Sequence, residues 1–189
     1  MVSRDTPRPG GRSARVQAAV HQSVREILAM MDRADVTIPI IAQRARVTPS
    51  TIYRRWGDLQ ELLADVAASR LQPEKEPAKT GSARADLLAW AQQYAEEMSC
   101  GAGRQMIRDV LSVSDTANAG KCCGYTREQL RVIVARAQAE GEPFPSVSEL
   151  MDHVVSPIMY RILFDQVPSE GYVQELVERV VPQRADDAS

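Results

Sequence analysis

Two helix starts that lie close together, each a threonine with an early proline, constrain this chain more than any other feature. Thr37 precedes Pro39, and Thr48 directly precedes Pro49. Threonine is a frequent N-cap residue, and proline is tolerated in a first turn because the N–H groups there have no partner within the helix. Apolar residues follow each start at helical spacing. They are Ile38, Ile41, Ala42 and Ala45 in the first helix, and Ile52 and Trp56 in the second. The stretch from Val36 to Leu63 is therefore predicted to form a helix-turn-helix, a motif that places its second helix in the major groove of DNA.

A further helix should follow this motif directly. Asp58 is predicted to cap it, and Glu61 completes a capping box three residues later. The whole stretch resembles the DNA-binding segment of the tetracycline-repressor (TetR) family. The resemblance is carried by Thr37, Ile41-Ala42, residues 45–48, residues 51–56, residues 58–60 and Leu62-Leu63. Apolar residues at helical spacing along the rest of the chain predict an all-α protein of about nine helices. The resemblance implies that an N-terminal three-helix helix-turn-helix domain precedes a C-terminal helical domain for ligand binding and dimerisation.

The sequence departs from the family pattern at two positions. The turn between the two helices carries Arg46 where the family has a glycine, so the turn must form without that residue's freedom at positive φ. Leu59 stands where the family has a lysine that contacts phosphate, and leucine cannot make that contact. The resemblance implies a ligand-responsive transcriptional regulator, most simply a repressor that a small molecule releases from a palindromic operator. The two departures keep one alternative open, a dimeric small-molecule-binding or adaptor protein that has lost specific DNA binding.

The predicted DNA-binding residues cluster around the turn and the second helix, whose N-terminal end points into the groove. Small side chains there can contact thymine methyl groups, and arginine can contact phosphate or guanine. The predicted set is Thr37, Arg44, Arg46, Thr48, Pro49, Ser50, Thr51, Tyr53, Arg54 and Arg55. A solvated surface role is the alternative for each arginine, and partial core packing is the alternative for Tyr53.

Charge is distributed unevenly along the chain although the net charge is only −2. Residues 1–70 carry 11 Arg and 7 Asp or Glu, a balance of +4, whereas residues 71–189 carry 12 basic and 18 acidic side chains, a balance of −6. A basic head on an acidic body fits a protein that meets phosphate with one end.

Composition shifts predict the domain boundaries. Residues 1–14 form a basic tail that we expect to be disordered, residues 15–71 form the helix-turn-helix domain, and residues 72–82 form a linker rich in proline and charge. Residues 83–189 form the effector-binding and dimerisation domain. The first helix is predicted over 15–34. In the second domain the eighth helix starts at the capping box Ser146/Glu149 and bends at Pro157, and the ninth starts near Ser169.

The eighth and ninth predicted helices carry long apolar stripes. The resemblance implies that these helices pair with their copies in a homodimer. The predicted interface residues are Val154, Val155, Ile158, Met159, Ile162, Val173, Leu176, Val177 and Val180. The alternative is that both stripes belong to the core of a single chain.

The resemblance also implies an unidentified small-molecule effector within the second domain. Aromatic and methionine side chains make adaptable apolar pockets. The predicted lining residues are Trp90, Tyr94, Met98, Met106, Phe144 and Tyr160, with a pure core role as the alternative for each.

Residues typical of catalysis are not arranged for it in this sequence. His21 and His153 lack a second ligand at metal spacing, and the glycines follow no strand as a phosphate loop requires. Cys100, Cys122 and Cys123 are expected to be small packing residues, with redox sensing as the alternative. We therefore expect no enzyme activity, no catalytic or metal site and no cofactor. No apolar run reaches the ~20 residues of a membrane span, and the start lacks a secretory segment, which predicts a cytoplasmic protein without a membrane partner.

Overall fold

The structure, a computed structural model, describes residues 11–182. Those residues form helices joined by turns and irregular segments, with no strand among them, as the sequence predicts. The chain divides into two compact units, Met1–Ala67 and Ala68–Ser189. No helix in the described part of the chain is long and apolar enough to span a bilayer.

The first unit is built on the helix-turn-helix. Its helices are α1 (Arg12–Leu28), α2 (Ile38–Ala45), α3 (Pro49–Trp56) and α4 (Leu59–Arg70), and α4 continues into the second unit. A short 3-10 turn, Arg33–Asp35, precedes α2. One apolar core joins these helices, and its buried residues are Val20, Val24, Ile27, Val36, Ile38, Ile41, Ala42, Ile52, Trp56, Leu62, Leu63 and Val66. Helices α2 and α3 begin directly after Thr37 and Thr48, so both predicted helix starts are confirmed.

The first helix differs from its prediction at both ends. It begins at Arg12, so residues 12–14 are helical, while residues 1–10 of the predicted tail lie outside the described residues. It ends at Leu28 rather than at residue 34. The chain leaves the helix there because Val36, which is buried, has to return to the core, and the 3-10 turn brings it back. Met30 and Met31, expected near the end of the helix, are exposed after it.

The second unit holds the remaining helices. They are α5 (Ala83–Ser99), α6 (Gly101–Leu111), α7 (Ala117–Ala139), α8 (Val147–Leu150), α9 (Ser156–Leu163) and α10 (Glu170–Val180). A π-helical turn, Met151–Val155, joins α8 to α9. Helix α8, the π-helical turn and α9 follow one another without a gap, and we count them as one rod. Residues 11–182 then contain nine helices longer than the 3-10 turn, the predicted number.

Proline distorts the rod from α8 to α9, as expected, but in a specific way. The single wide turn of Met151–Val155 ends two residues before Pro157, which has no N–H to give to the preceding turn. The hydroxyl of Ser156 donates to the carbonyl of Met151 at 2.8 Å. The rod begins with the predicted capping box, in which Ser146 and Glu149 exchange backbone and side-chain bonds.

The segment from residue 71 to residue 82 contains no helix, and side chains of α7, chiefly Arg136, bind it. Arg136 donates to the carbonyls of Pro77 (3.0 Å) and Ala78 (3.1 Å) and to the Asp86 carboxylate (2.9 Å). The other oxygen of Asp86 accepts from the backbone and hydroxyl of Thr80. Arg136 therefore fixes this connector to α5 and α7.

Candidate nucleic-acid interface

The turn between α2 and α3 is closed by an arginine in the left-handed conformation. Arg46 has φ 54° and ψ 43°. Its N–H donates to the carbonyl of Gln43 (3.2 Å), and the N–H of Val47 donates to that of Ala42 (3.0 Å). These two bonds form a Schellman motif, which normally places glycine at this position. The turn thus forms without glycine, and Arg46 adopts the left-handed conformation in its place.

Helix α3 separates its side chains sharply between core and solvent. Ile52 is fully buried and Trp56 is 8% exposed, whereas Tyr53 is 50% exposed. Pro49, Ser50 and Arg54 are also exposed. The buried pair anchors the helix, and the exposed residues form a face that a DNA groove could admit.

The threonines at the helix starts occupy the predicted positions but do not act as predicted. Thr37 and Thr48 are the N-cap residues of α2 and α3, yet neither side chain accepts a capping bond from a backbone N–H of its helix. The Thr48 hydroxyl instead lies 2.9 Å from those of Ser50 and Thr51, so these three form a small polar cluster at the start of α3. At the next helix, Asp58 accepts from the N–H of Glu61 at 2.9 Å, one half of the predicted capping box.

The four arginines of the predicted interface fall into two classes. Arg44 pairs with Glu26 at 2.6 Å, and hydrogen bonds from Gln22 and Arg44 hold the pKa of the Glu26 carboxyl below its ordinary value. Arg55 donates to Ser13 and lies beside Trp56. Within residues 11–182, the structure pairs neither Arg46 nor Arg54 with another side chain, and both are exposed.

A polar cluster behind α3 was not among the predicted residues. The Asp65 carboxylate of α4 receives Trp56 Nε1 at 2.9 Å, His21 Nε2 at 2.9 Å and Gln17 Nε2 at 3.2 Å. The sequence signal was the spacing of Gln17 and His21, one helical turn apart on the buried side of α1. His21, expected to be structural or solvated, is buried in this cluster. Leu59, at the position of the family's lysine, packs against the apolar core of the unit.

The predicted effector residues are only partly brought together. Trp90 and Tyr94 stack with ring centroids 5.2 Å apart, and Met98 lies on the same helix, α5. Tyr94, Met98 and Phe144 pack against the core of the second unit, and Met106 is half-buried. Burial raises the pKa of Tyr94 to about 12, although a hydrogen bond with Thr126 opposes the rise. Tyr160 is separate from this group, because it is 65% exposed and packs on Phe164.

The predicted dimer residues lie mainly inside the chain itself. The buried ones are Val154, Val155, Ile158, Ile162, Val173, Leu176 and Val177. Met159 and Val180 are half-buried against the same core. A side chain enclosed by its own chain is not available to a second copy. The exposed apolar side chains nearby are different residues, namely Tyr160, Leu163, Phe164 and Val167.

Two further groups considered in the sequence have ordinary structural surroundings. Cys100 caps α6, because its sulfur accepts from the N–H of Gly103 at 3.2 Å. Burial raises the pKa of the Cys122 thiol, which makes it less reactive. In the described residues, no group of three or more His, Cys, Asp or Glu side chains could hold a metal ion.

Comparisons with known proteins agree with this architecture. Residues 77–180 match the family described as tetracyclin repressor-like, C-terminal domain. Uncharacterised HTH-type transcriptional regulators of Mycobacterium bovis and Mycobacterium tuberculosis are each 26% identical, over 77% of this chain and 76% of theirs. The crystal structure of a TetR family transcription regulator covers 87% of this chain and 95% of its own, with 23% identity and a TM-score of 0.66. A chain from Mesorhizobium loti assigned to the same family covers 90% of this chain and 97% of its own, with 15% identity and a TM-score of 0.60.

The family match spans more than half of the chain, and the solved structures share its fold. This chain belongs to the tetracycline-repressor (TetR) family of ligand-responsive, DNA-binding transcription regulators, which are not enzymes.

Proposed function

We propose that this protein is a cytoplasmic repressor that binds a palindromic operator as a homodimer and is released by a small molecule. The DNA-binding part of this proposal rests on the division of the α3 side chains between a buried and an exposed face. Ile52 and Trp56 hold the helix from behind, while Ser50, Tyr53 and Arg54 are exposed on its outer face. The formed turn at Arg46 supports DNA binding over the alternative of an adaptor that has lost it.

The proposed DNA contacts follow from this division. Pro49, Ser50 and Thr51 at the start of α3 would lie nearest the bases, with the Tyr53 hydroxyl and the Arg54 and Arg46 guanidinium groups reaching phosphate or guanine. Because Leu59 is packed into the core, α4 offers no phosphate contact from that position.

Selection of bound sequences from random duplex DNA tests the proposal. An enriched palindrome, with half-sites about one helical turn (~34–36 Å) or slightly more apart, is the expected result. Affinity for that palindrome should fall steeply with salt, since phosphate contacts release counterions. A pool without dyad symmetry, bound equally at low and high salt, would contradict the proposal.

The effector is proposed to be an apolar or aromatic molecule bound near the Trp90–Tyr94 stack, with Met98, Met106 and Phe144 as further candidate contacts. A ligand can release operator only if it binds the two conformations of the protein with different affinity. Trp90 gives a direct signal, because a compound that docks beside it should change its fluorescence in a Trp56→Phe host. A compound that does so and leaves operator affinity unchanged would argue against regulation through this site.

The second copy is proposed to dock on the exposed apolar residues at the end of α9. Tyr160, Leu163, Phe164 and Val167 are each at least half exposed and follow one another along the chain. Exposed apolar clusters of this kind mark protein interfaces. The buried stripes of α9 and α10 would then support this surface from inside the chain.

A further inference from the structure

Among the predicted DNA-binding residues, Arg55 makes the most side-chain hydrogen bonds within residues 11–182. One nitrogen, Nη1, donates to the hydroxyl of Ser13 at 2.6 Å and to its carbonyl at 3.3 Å. The other, Nη2, donates to Oε1 of Gln17 at 2.5 Å. The guanidinium also lies 5.2 Å from the ring centroid of Trp56. A planar guanidinium engaged on both nitrogens and beside an aromatic ring is held in one orientation.

Gln17 connects Arg55 to a third helix. Its Oε1 accepts from Arg55 of α3, and its Nε2 donates to Oδ2 of Asp65 on α4 at 3.2 Å. An amide has one acceptor side and one donor side, so these two partners define its orientation. Gln17 thus joins a cation of α3 to a carboxylate of α4 through α1.

Asp65 collects donors from two helices on one oxygen. Besides Gln17, Oδ2 receives the indole N–H of Trp56 and Nε2 of His21, both at 2.9 Å. A carboxylate only accepts, so His21 carries a proton on Nε2. Trp56 is the residue next to Arg55, and α3 is therefore bonded to Asp65 both directly and through Gln17.

We propose that Arg55 is a positioning residue, and that the chain Arg55–Gln17–Asp65 sets the orientation of α3 against α1 and α4 for DNA binding. Of the four predicted interface arginines, Arg54 and Arg46 have no side-chain partner in the described part of the protein, so they are the two of that set left to neutralise phosphate. This assignment rests on the proposed DNA-binding function and narrows it, because it removes Arg55 from the contact surface.

The slope of operator affinity against salt concentration separates the two roles. A residue that neutralises one phosphate contributes about 1 to the slope of log K against log salt, whereas a positioning residue contributes nothing. The experiment compares Arg55→Met, Gln17→Met and Arg54→Met on the palindrome that the wild-type protein selects. Ser13→Ala, an exposed change at the start of α1, removes one Arg55 contact without endangering the fold.

Arg55→Met and Gln17→Met are expected to weaken operator binding about 5- to 10-fold with an unchanged salt slope. The double variant should bind no more than about two-fold worse than either single variant, because both changes break one chain. Ser13→Ala should give a smaller loss, also at constant slope. Arg54→Met should lower the slope by about 1.

Two results would overturn the assignment. One is a drop of about 1 in the slope for Arg55→Met, which would make Arg55 a phosphate contact. The other is a double variant whose fold loss of operator affinity equals the product of the Gln17→Met and Arg55→Met losses, which would show that the two residues act independently. If the wild-type protein selects no palindrome, the proposed function fails instead. In that case the hydrogen-bonded series Arg55–Gln17–Asp65 is tested without DNA, by urea unfolding of the two single variants and the double variant. Non-additive shifts of the urea midpoint support the series, and additive shifts refute it.

Discussion

At the scale of single residues, Arg46 shows how an unfavourable residue can be accommodated in a required turn. A non-glycine residue in the left-handed region carries a conformational strain of about 1–2 kcal/mol. Here the conformation is imposed by two backbone bonds of the Schellman motif and by the burial of Ile41 and Ile52 on either side. The strain is local, and the surrounding core determines the turn.

Replacing Arg46 should therefore change stability according to backbone freedom rather than charge. Arg46→Gly should be more stable to urea than Arg46→Ala by about 1 kcal/mol, because only glycine relieves the positive φ. The alanine variant is the matched control, since both changes remove the same guanidinium. Equal stability of the two variants would show that the turn carries no strain.

The residue types of the candidate interface could be predicted from the sequence, but their partners could not. The motif spacing predicted Arg44 beside the turn and Arg55 in the second helix of the motif, and both side chains are exposed. Their ties to Glu26 and Ser13 join positions 18 and 42 residues apart. Such contacts depend on how α1 crosses the motif, and helical periodicity does not specify that crossing.

At the scale of elements, Arg136 on α7 binds both the connector and the buried carboxylate of Asp86 on α5. Burial alone raises the pKa of the Asp86 carboxyl, but hydrogen bonds from Thr80 and Arg136 outweigh burial and hold that pKa below its ordinary value. Asp86 is 2% exposed, so it depends on these partners. The pair ties α7 to the beginning of α5.

Removal of the Arg136 guanidinium should lower stability strongly, whereas the same change at Arg131, five residues earlier on α7, should have little effect. Arg136→Met should lower the free energy of unfolding by about 2–3 kcal/mol, because it leaves a buried carboxylate without its cation. Arg131→Met is the control on the same helix, since Arg131 pairs with Glu128 on the surface and its loss should change stability by less than ~0.5 kcal/mol. Chemical unfolding followed by circular dichroism measures both, and similar losses would contradict the assignment.

Helix starts in this chain were easier to predict than helix ends. Ser146 and Ser169 cap α8 and α10 as expected, because a cap is a local arrangement of a few residues. The end of α1 was misplaced by six residues, since it is set by the return of Val36 to the core. The π-helical turn before Pro157 was expected only as an unspecified bend.

At the scale of the whole molecule, a regular apolar stripe indicates that one face of a helix is buried, but it does not identify the surface that packs against that face. The stripes of α9 and α10 were predicted to be a dimer surface, and most of their residues lie in the core of one chain. The period and length of an apolar stripe are the same whether the stripe packs inside its own chain or against a second copy. The exposed apolar residues that follow the stripe, such as Phe164, could not be distinguished in the sequence from those within it.

The dimer proposal therefore makes opposite predictions for neighbouring positions. Phe164→Arg should leave the protein folded but monomeric at micromolar concentration, because Phe164 is 63% exposed in the single chain. Ile158→Arg should prevent folding, because it places an unpaired charge in the core. Sedimentation equilibrium together with circular dichroism distinguishes the results. A folded dimer of Phe164→Arg would move the interface elsewhere.

The connector held by Arg136 has one more consequence, which concerns proteases. The chain contains three lysines, and two of them, Lys75 and Lys79, lie in this segment. Proteases cleave extended chain that can leave the surface, and here the carbonyls of Lys75, Pro77 and Ala78 are bound to Gln129 and Arg136. A lysine-specific protease should therefore spare the native connector but cut Arg136→Met there within minutes, releasing two fragments that meet at residues 75–79. Rapid cleavage of the wild-type protein at these lysines would show that the segment is a free tether.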